Sequence, residues 1–264
     1  MPHATNAGID LYYEDSGGDG PVLVFSHGLL MDGTMFAPQV AALRDRFRCI
    51  SWDERGHGRT AGAALAPFSY YDSADDLVAI LRAAGVGRAV LVGMSQGGYL
   101  SLRCALRHPE VVRALVLIDT QAGLEDPAKM PGYHRMISEW AAHGLSDETA
   151  AIIEHVILGD GWSGAEAWKA RWRSMQPHNL LGVFTTLGSR DDIAEAIAGI
   201  TAPALVIHGD ADAAIETERA LAMHAKLANA APFVRVPGAG HAANLTDPEP
   251  VNAAILRFLD TLPA

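Results

Sequence analysis

The stretch Gly93-Met94-Ser95-Gln96-Gly97 sets a serine between glycines where an apolar run, "AVLVGM", gives way to a helical pattern. A serine hydroxyl attacks a carbonyl only when a base takes its proton. A histidine is the usual base, and a carboxylate must hold its ring in one tautomer. Two later stretches carry these types. "LVIHGDADAAI" has Asp210 and Asp212 after an apolar run, and "PFVRVPGAGHAANL" has His241 in a glycine-rich loop after another. The order serine, aspartate, histidine is the one that goes with a serine on a strand-to-helix turn. Among the eleven histidines His241 is best placed to be the base. Asp212 is favoured as its carboxylate because it lies further into its loop. Asp210 sits almost on the strand end, where it can hold the turn, and Asp119, ending an earlier strand, is a third candidate.

Attack on a carbonyl builds an oxyanion, which backbone N–H groups stabilise best. One expected donor is Gln96, at a helix N-terminus where free N–H groups and the helix dipole favour negative charge. The other is Leu29 in "FSHGLLMDG", where Gly28 lets the chain turn close to the serine. Rival uses of the glycines fit less well. "GMSQGG" does not match G-x-G-x-x-G, and no Lys-Ser or Lys-Thr follows as a phosphate loop would need. No histidine pair has helical ligand spacing, so neither a metal nor a cofactor is expected.

The elements that position these residues follow from hydrophobic periodicity. Residues 9–14, 22–26, "FRCISWD", "AVLVGM", "RALVLID", "APALVIHGD" and "PFVRVPG" read as strands. Helical patterns lie between them, at 96–107, about 216–228 and about 248–260 among others, and Ser73 is read as the cap of "SADDLVAILRAAG". Strand and helix in alternation predict an α/β fold, a mostly parallel twisted sheet with helices on both faces. Such sheets carry their chemistry just past the carboxyl ends of the strands. From 125 to 197 the alternation stops and only helical patterns appear, including "RDDIAEAIAGI" and a capping box from Ser163 to Glu166. The expected organisation is a core in two parts, 1–124 and 198–264, with a helical cap inserted at 125–197. Trp140, Trp162, Trp168 and Trp172 lie in that insertion. Trp140, Trp162 and Trp168, with Leu30, are candidates to bind substrate, against the plainer reading that the rings are the cap's own core.

Composition bounds the function. The chain has 264 residues, 49% of them hydrophobic, enough for a substantial core. A net charge of −11 argues against nucleic acid or anionic membrane as partner. No stretch approaches a membrane span, and the N-terminal residues lack a signal-peptide pattern, so a cytoplasmic protein is expected. Cys49 and Cys104 read as reduced core residues.

Taken together, "SHGLL", "DERGHGRT", "GMSQGG", "HGDAD" and "GHAANLTDPEP" resemble the α/β-hydrolase superfamily over essentially the whole chain, closest to small microbial esterases, 3-oxoadipate enol-lactonases and cofactor-free haloperoxidases. The resemblance implies that Ser95, Asp212 and His241 form a triad, that Leu29 and Gln96 form the oxyanion hole, and that "DERGHG" is a structural turn. It also implies a small-molecule ester or lactone as substrate. Epoxide hydrolases and haloalkane dehalogenases of this fold carry aspartate where Ser95 stands. Perhydrolases and haloperoxidases often have proline at the position of Leu30, and carbon–carbon bond hydrolases often have tryptophan at that of Ala242; both departures lean toward plain hydrolysis. The non-enzyme alternative is a ligand receptor built on a hydrolase scaffold.

Overall fold

Residues 3–60 and 65–263 are described by a computed structural model; residues 1–2 and 264, at the outer ends of the expected core segments, and 61–64 lie outside them. The first two strands, β1 (His3–Asn6) and β2 (Ile9–Asp15), form an antiparallel hairpin. Ala7 and Gly8 both take positive φ in its turn, as the twist of a two-residue hairpin requires. β1 is an element that hydrophobic patterning does not find, because its four residues, HATN, are short and mostly polar. The next strands are β3 (Val22–Ser26), β4 (Arg48–Trp52), β5 (Ala89–Met94), β6 (Val112–Ile118), β7 (Ala204–Gly209) and β8 (Val234–Val236). These six run parallel to one another, and the antiparallel pairs of the described sheet are β1 with β2 and β2 with β4. The described sheet has the order β1-β2-β4-β3-β5-β6-β7-β8. Every residue of β5 and β7 is buried, which is why these strands are continuous apolar runs rather than alternating ones.

Helices cover the sheet. α1 (Ala37–Leu43) follows β3, α2 (Tyr70–Ala83) follows β4, and α3 (Gln96–Arg107) follows β5 without a break. Four helices then come in succession between β6 and β7: α4 (Met130–His143), α5 (Asp147–Ile157), α6 (Ala165–Ser174) and α7 (Pro177–Gly188). After β7 come α8 (Thr217–Lys226), α9 (Ala243–Thr246) and α10 (Pro248–Leu259). α1 and α10 pack together in one layer, and α2 packs on α3 in another. The parallel register aligns the strand ends: Ser26 lies beside Gly93, Met94 beside Ile118, Ile118 beside Ile207, and Gly209 beside Val236. The segments that leave these ends therefore emerge at one edge of the sheet, as in other open α/β sheets.

Local signals decide several boundaries differently from the patterns. α2 begins one turn earlier than Ser73 would place it. Ser69 is its cap, accepting from the Asp72 N–H while the Asp72 carboxylate accepts from the Ser69 N–H. Ser73 is instead buried inside the helix. The Ser163–Glu166 capping box does not form, because α6 starts at Ala165 behind Gly164. "PHNLLGVFTTLG" is the helix α7, which sequence reading passes over because it holds two glycines and several β-branched residues; burial of Leu180, Val183, Phe184 and Leu187 overrides propensity. "RDDIAEAIAGI" contributes only a 3₁₀ turn at Ala196–Gly199.

One buried ion pair ties the turn after β4 to α2. Arg55 donates twice to Asp76, once at 2.8 Å, and the Asp76 side chain is wholly buried. Asn6 of β1 donates to the same carboxylate at 2.7 Å. Removing one partner of such a pair strands the other charge away from water. Arg55→Met is expected to lower the unfolding free energy by about 3–5 kcal/mol, measured by urea denaturation.

Candidate active site

Ser95 occupies the junction of β5 and α3 with φ +50° and ψ −114°, a conformation side chains rarely adopt. Close crossing of backbones holds it there. A Cβ on Gly97 would lie 1.9 Å from the Ser26 carbonyl oxygen, and one on Gly93 would lie 2.2 Å from the Gly97 oxygen. Only glycine fits at either place. The Ser95 carbonyl accepts from Thr120 Oγ1 at 2.8 Å and from the Gly98 N–H at 2.9 Å, which caps the start of α3. Of the four non-glycine residues with positive φ among those described, three surround this site: Leu30, Ser95 and Asp119. Concentrated strain of this kind marks functional sites.

His241 Nε2 lies 3.0 Å from Ser95 Oγ, and its Nδ1 lies 2.8 Å from Asp212 Oδ2. The other Asp212 oxygen accepts from the N–H groups of Ala214 and Ile215 at 2.8 and 3.0 Å, which fixes the carboxylate toward the imidazole. Asp210 turns the other way and accepts from the Gly238 N–H at 2.6 Å, holding the turn after β8. Asp119 is completely buried, and accepts from Gly209 N–H at 2.7 Å and Ala243 N–H at 3.2 Å. The two buried carboxyls are driven apart in acidity. Burial and the Asp212 charge push Asp119 well above the usual carboxylate range. Burial opposes ionisation of Asp212 too, but the charge and hydrogen bond of His241 hold it below that range. Burial alone would lower His241; the charge and hydrogen bond of Asp212 outweigh it and raise the imidazole above its ordinary value. Asp119, His208 and Asp212 bring ligand atoms within 4.8 Å of one another. Their acceptors are largely engaged by N–H donors, and His208 Nε2 donates to the Ile215 carbonyl, so a cation would have to displace these bonds.

The segment after β3 runs against the serine. A Cβ on Gly28 would meet Met94 Sδ at 2.6 Å and Ser95 Cβ at 3.6 Å. His27 Nε2 accepts from the Glu54 N–H at 2.9 Å, so its Nδ1 carries the proton and donates to the Gly28 carbonyl at 2.8 Å. The Gly28 carbonyl and the Leu29 N–H share one planar peptide, so fixing the oxygen fixes the direction of the N–H. Leu30, at φ +65°, is gripped at both ends. Its N–H donates to His57 Nε2 at 3.3 Å, and its carbonyl accepts from Trp172 Nε1 at 3.0 Å. Burial lowers His27, and burial with the neighbouring His27 drives His57 down to about 3, so both rings are neutral braces. Asp53 braces the same region, accepting from the N–H groups of Gly33 and Arg59, each at 2.8 Å. Gln96 turns its side chain away, donating to Glu54 at 2.9 Å and accepting from Tyr70 at 3.0 Å. Neither the Leu29 nor the Gln96 N–H has an acceptor among the described residues.

A cavity opens above Ser95 and His241. Its floor includes Leu29 and Leu30, and its roof comes from the helices between β6 and β7, through Tyr133, Ile137, Ile153, Ile157, Phe184 and Leu187. Of the residues that sequence reading names as substrate-binding candidates, Leu30 lines the cavity, and Trp140, Trp162 and Trp168 do not. Trp140 and Trp168 are buried within the helical segment, Trp162 packs beside Gly164, and Arg171 stacks on Trp168 at 4.4 Å. The large rings are the core of a small helical unit that must bury apolar area of its own, and aliphatic residues face the cavity instead. Sequence reasoning misses Tyr99 and Glu125, which also line it. Tyr99 is one helical turn beyond Ser95, a spacing that could have revealed it; Glu125 lies in an irregular stretch that carries no such signal.

The family described as alpha/beta hydrolase fold matches residues 21–248. A 2-(acetamidomethylene)succinate hydrolase of Mesorhizobium japonicum is 30% identical over 253 residues, covering 92% of this chain and 89% of its own. A thermophilic esterase from Thermogutta terrifontis, solved with malate bound, superposes with a TM-score of 0.89 at 27% identity over 100% of this chain and 99% of its own. An enol-lactonase from Burkholderia xenovorans superposes with a TM-score of 0.89, covering 98% of this chain and 100% of its own; at 24% identity it shows the shared fold alone. Among the described residues no helix is long and apolar enough to cross a membrane.

Asp119 has a bracing role distinct from that of Asp212. Asp119→Ala leaves two N–H groups without acceptors and is expected to lower the unfolding free energy by about 2–5 kcal/mol in urea, while Asp119→Asn, which keeps one acceptor oxygen, costs less.

Proposed function

The chain belongs to the α/β-hydrolase family, and on that premise we propose that it is a serine hydrolase cleaving a carboxylic ester or lactone through an acyl-enzyme. The observation that carries the reading is His241, hydrogen-bonded at once to Ser95 Oγ at 3.0 Å and to Asp212 at 2.8 Å. In this mechanism His241 Nε2 takes the Ser95 proton as Oγ attacks the carbonyl carbon. The carbonyl oxygen becomes an oxyanion, and the N–H groups of Leu29 and Gln96 receive it, each donor of this kind contributing about 3–4 kcal/mol. The imidazolium then protonates the leaving alkoxide. Water enters, gives a proton to His241 and attacks the acyl carbon, and Ser95 leaves with that proton returned to it. Asp212 stays ionised throughout and stabilises the imidazolium.

The cavity favours an apolar acyl or alkyl group. Among its lining residues His241 is the only basic one, and most of the others are aliphatic, methionine or aromatic. A dianionic group, such as the succinate in the name of the Mesorhizobium relative, would find no cation among these lining residues. Esters and lactones with apolar chains fit better. The residues in place of proline and tryptophan, Leu30 and Ala242, agree with hydrolysis over perhydrolysis or carbon–carbon cleavage.

A fluorophosphonate probe is expected to add to Ser95, located by peptide mass spectrometry, and Ser95→Ala is expected to lose both adduct and aryl-ester turnover. A folded wild-type protein that takes no label there would sink the mechanism; ligand binding without turnover of any ester or lactone would favour the receptor alternative. The rate of labelling should rise with pH, because only neutral His241 accepts the proton. Since Asp212 raises that imidazole, the midpoint lies above the ordinary value of 6.5. Asp212→Asn removes the largest of the effects that raise the imidazole, so the midpoint moves down, and turnover at neutral pH falls by about 10³–10⁴-fold.

A further inference from the structure

The hydrolytic steps leave a carboxylate among the cavity's lining residues unused. Glu125 lines the cavity, and one of its oxygens, Oε1, pairs with the Arg190 guanidinium, 2.9 Å from Nη2, and accepts from the Tyr99 hydroxyl at 3.4 Å. Arg190 is nearly buried and fully engaged. It donates to the Gly123 carbonyl at 2.9 and 3.2 Å and to the Leu187 carbonyl at 3.1 Å, and its plane lies over the Tyr99 ring at 4.4 Å. Glu125 is therefore held rigidly, yet no donor among the described residues reaches its second oxygen. Burying an ion pair beside aliphatic side chains is costly compared with filling the same space with apolar ones. A fixed carboxylate with an oxygen to spare, with no other carboxylate among the residues lining the cavity, is a recognition element.

We propose that Glu125, held by Arg190 and flanked by Tyr99, is a specificity residue that binds a hydroxyl or amide N–H carried on the apolar portion of the substrate. The proposal rests on the serine-hydrolase reading above and narrows its substrate class. A neutral donor is favoured over an ammonium group. Arg190 already balances the Glu125 charge, so a cation entering this apolar cavity would lose its water without gaining an unpaired counter-ion. A hydroxyl or amide N–H loses less and gains a charge-assisted hydrogen bond.

Three matched series of p-nitrophenyl esters test this, with the acyl chain ending in methyl, hydroxyl or methoxy, over a range of chain lengths. The methoxy end matches the hydroxyl in polarity but cannot donate. At the length that reaches Glu125, wild-type kcat/KM should be about tenfold higher for the hydroxyl than for the methoxy ester, the effect of one well-placed hydrogen bond, and expressed mainly in KM. Glu125→Met should bring that ratio close to one. Glu125→Met combined with Arg190→Met should do the same without leaving a buried guanidinium unpaired. Glu125→Gln keeps an acceptor oxygen in place and should retain much of the preference. Because each ratio is taken within one protein, a loss of active fraction cancels. A wild-type ratio near one at every chain length would overturn the proposal, as would a ratio that survives in a folded Glu125→Met protein or in the double variant. If wild type hydrolyses none of the esters and Ser95 takes no fluorophosphonate, the hydrolase reading fails first and this inference with it.

Discussion

The whole site hangs on the crossing of α3 over the end of β3. Gly97 packs so tightly on Ser26 that a single added carbon would lie 1.9 Å from the carbonyl oxygen, far inside van der Waals contact. That contact compresses the turn between β5 and α3 until Ser95 is forced to positive φ and its hydroxyl stands clear of both elements. It also aims the first N–H groups of the helix at the same space. The strain is tolerated because the surroundings over-determine it: β5 is buried along its whole length, and Thr120 and Gly98 satisfy the Ser95 carbonyl.

Around this fixed point the structure arranges charge by burial. Two carboxyls and two imidazoles lie within a few ångströms of one another at the ends of β6, β7 and β8, and water is largely excluded from all four. Contact with the imidazole decides which carboxyl carries charge. Both carboxyls accept from two N–H donors, but Asp212 also faces His241, whose charge and hydrogen bond favour its ionised form, while burial and the Asp212 charge push Asp119 toward its neutral form. His27 and His57 take the opposite course on the other side of the serine. Burial strips them of charge, and they act as rigid struts: His27 orients the peptide between Gly28 and Leu29, and His57 the next one, between Leu29 and Leu30.

The helical segment between β6 and β7 is more than a roof. Its residues reach down to both of the loops that flank Ser95. Trp172 donates to the Leu30 carbonyl, and Arg171 reaches Asp32 at 2.7 Å, so α6 helps set the segment after β3. At the other side the Ala242 N–H donates to the Ile157 carbonyl at the end of α5 at 3.0 Å, next to His241. The same helices that roof the cavity thus also brace the groups beneath it.

The sequence by itself determined the strand succession, since buried parallel strands must be continuous apolar runs. It also determined the residue types that could carry the chemistry, their order along the chain, and the glycines that a serine on so tight a turn demands. It left β1 unseen, because a short polar edge strand is specified by its turn and its partner rather than by its own hydrophobicity. It left α7 unseen, because packing of Leu180, Val183 and Phe184 supplies the stability that its composition withholds. Asp212 is favoured by its place in its loop, and it is the packing of the segments after β6, β7 and β8 that turns its carboxylate to His241 while Asp119 and Asp210 accept from backbone N–H groups. The cap tryptophans and Glu125 show the same limit from opposite sides. Helical periodicity says that large rings will be buried but not against what, and a loop glutamate gives no periodic signal at all. Which side chains face a shared cavity is decided by how separate elements pack, and that is a property of the tertiary structure alone.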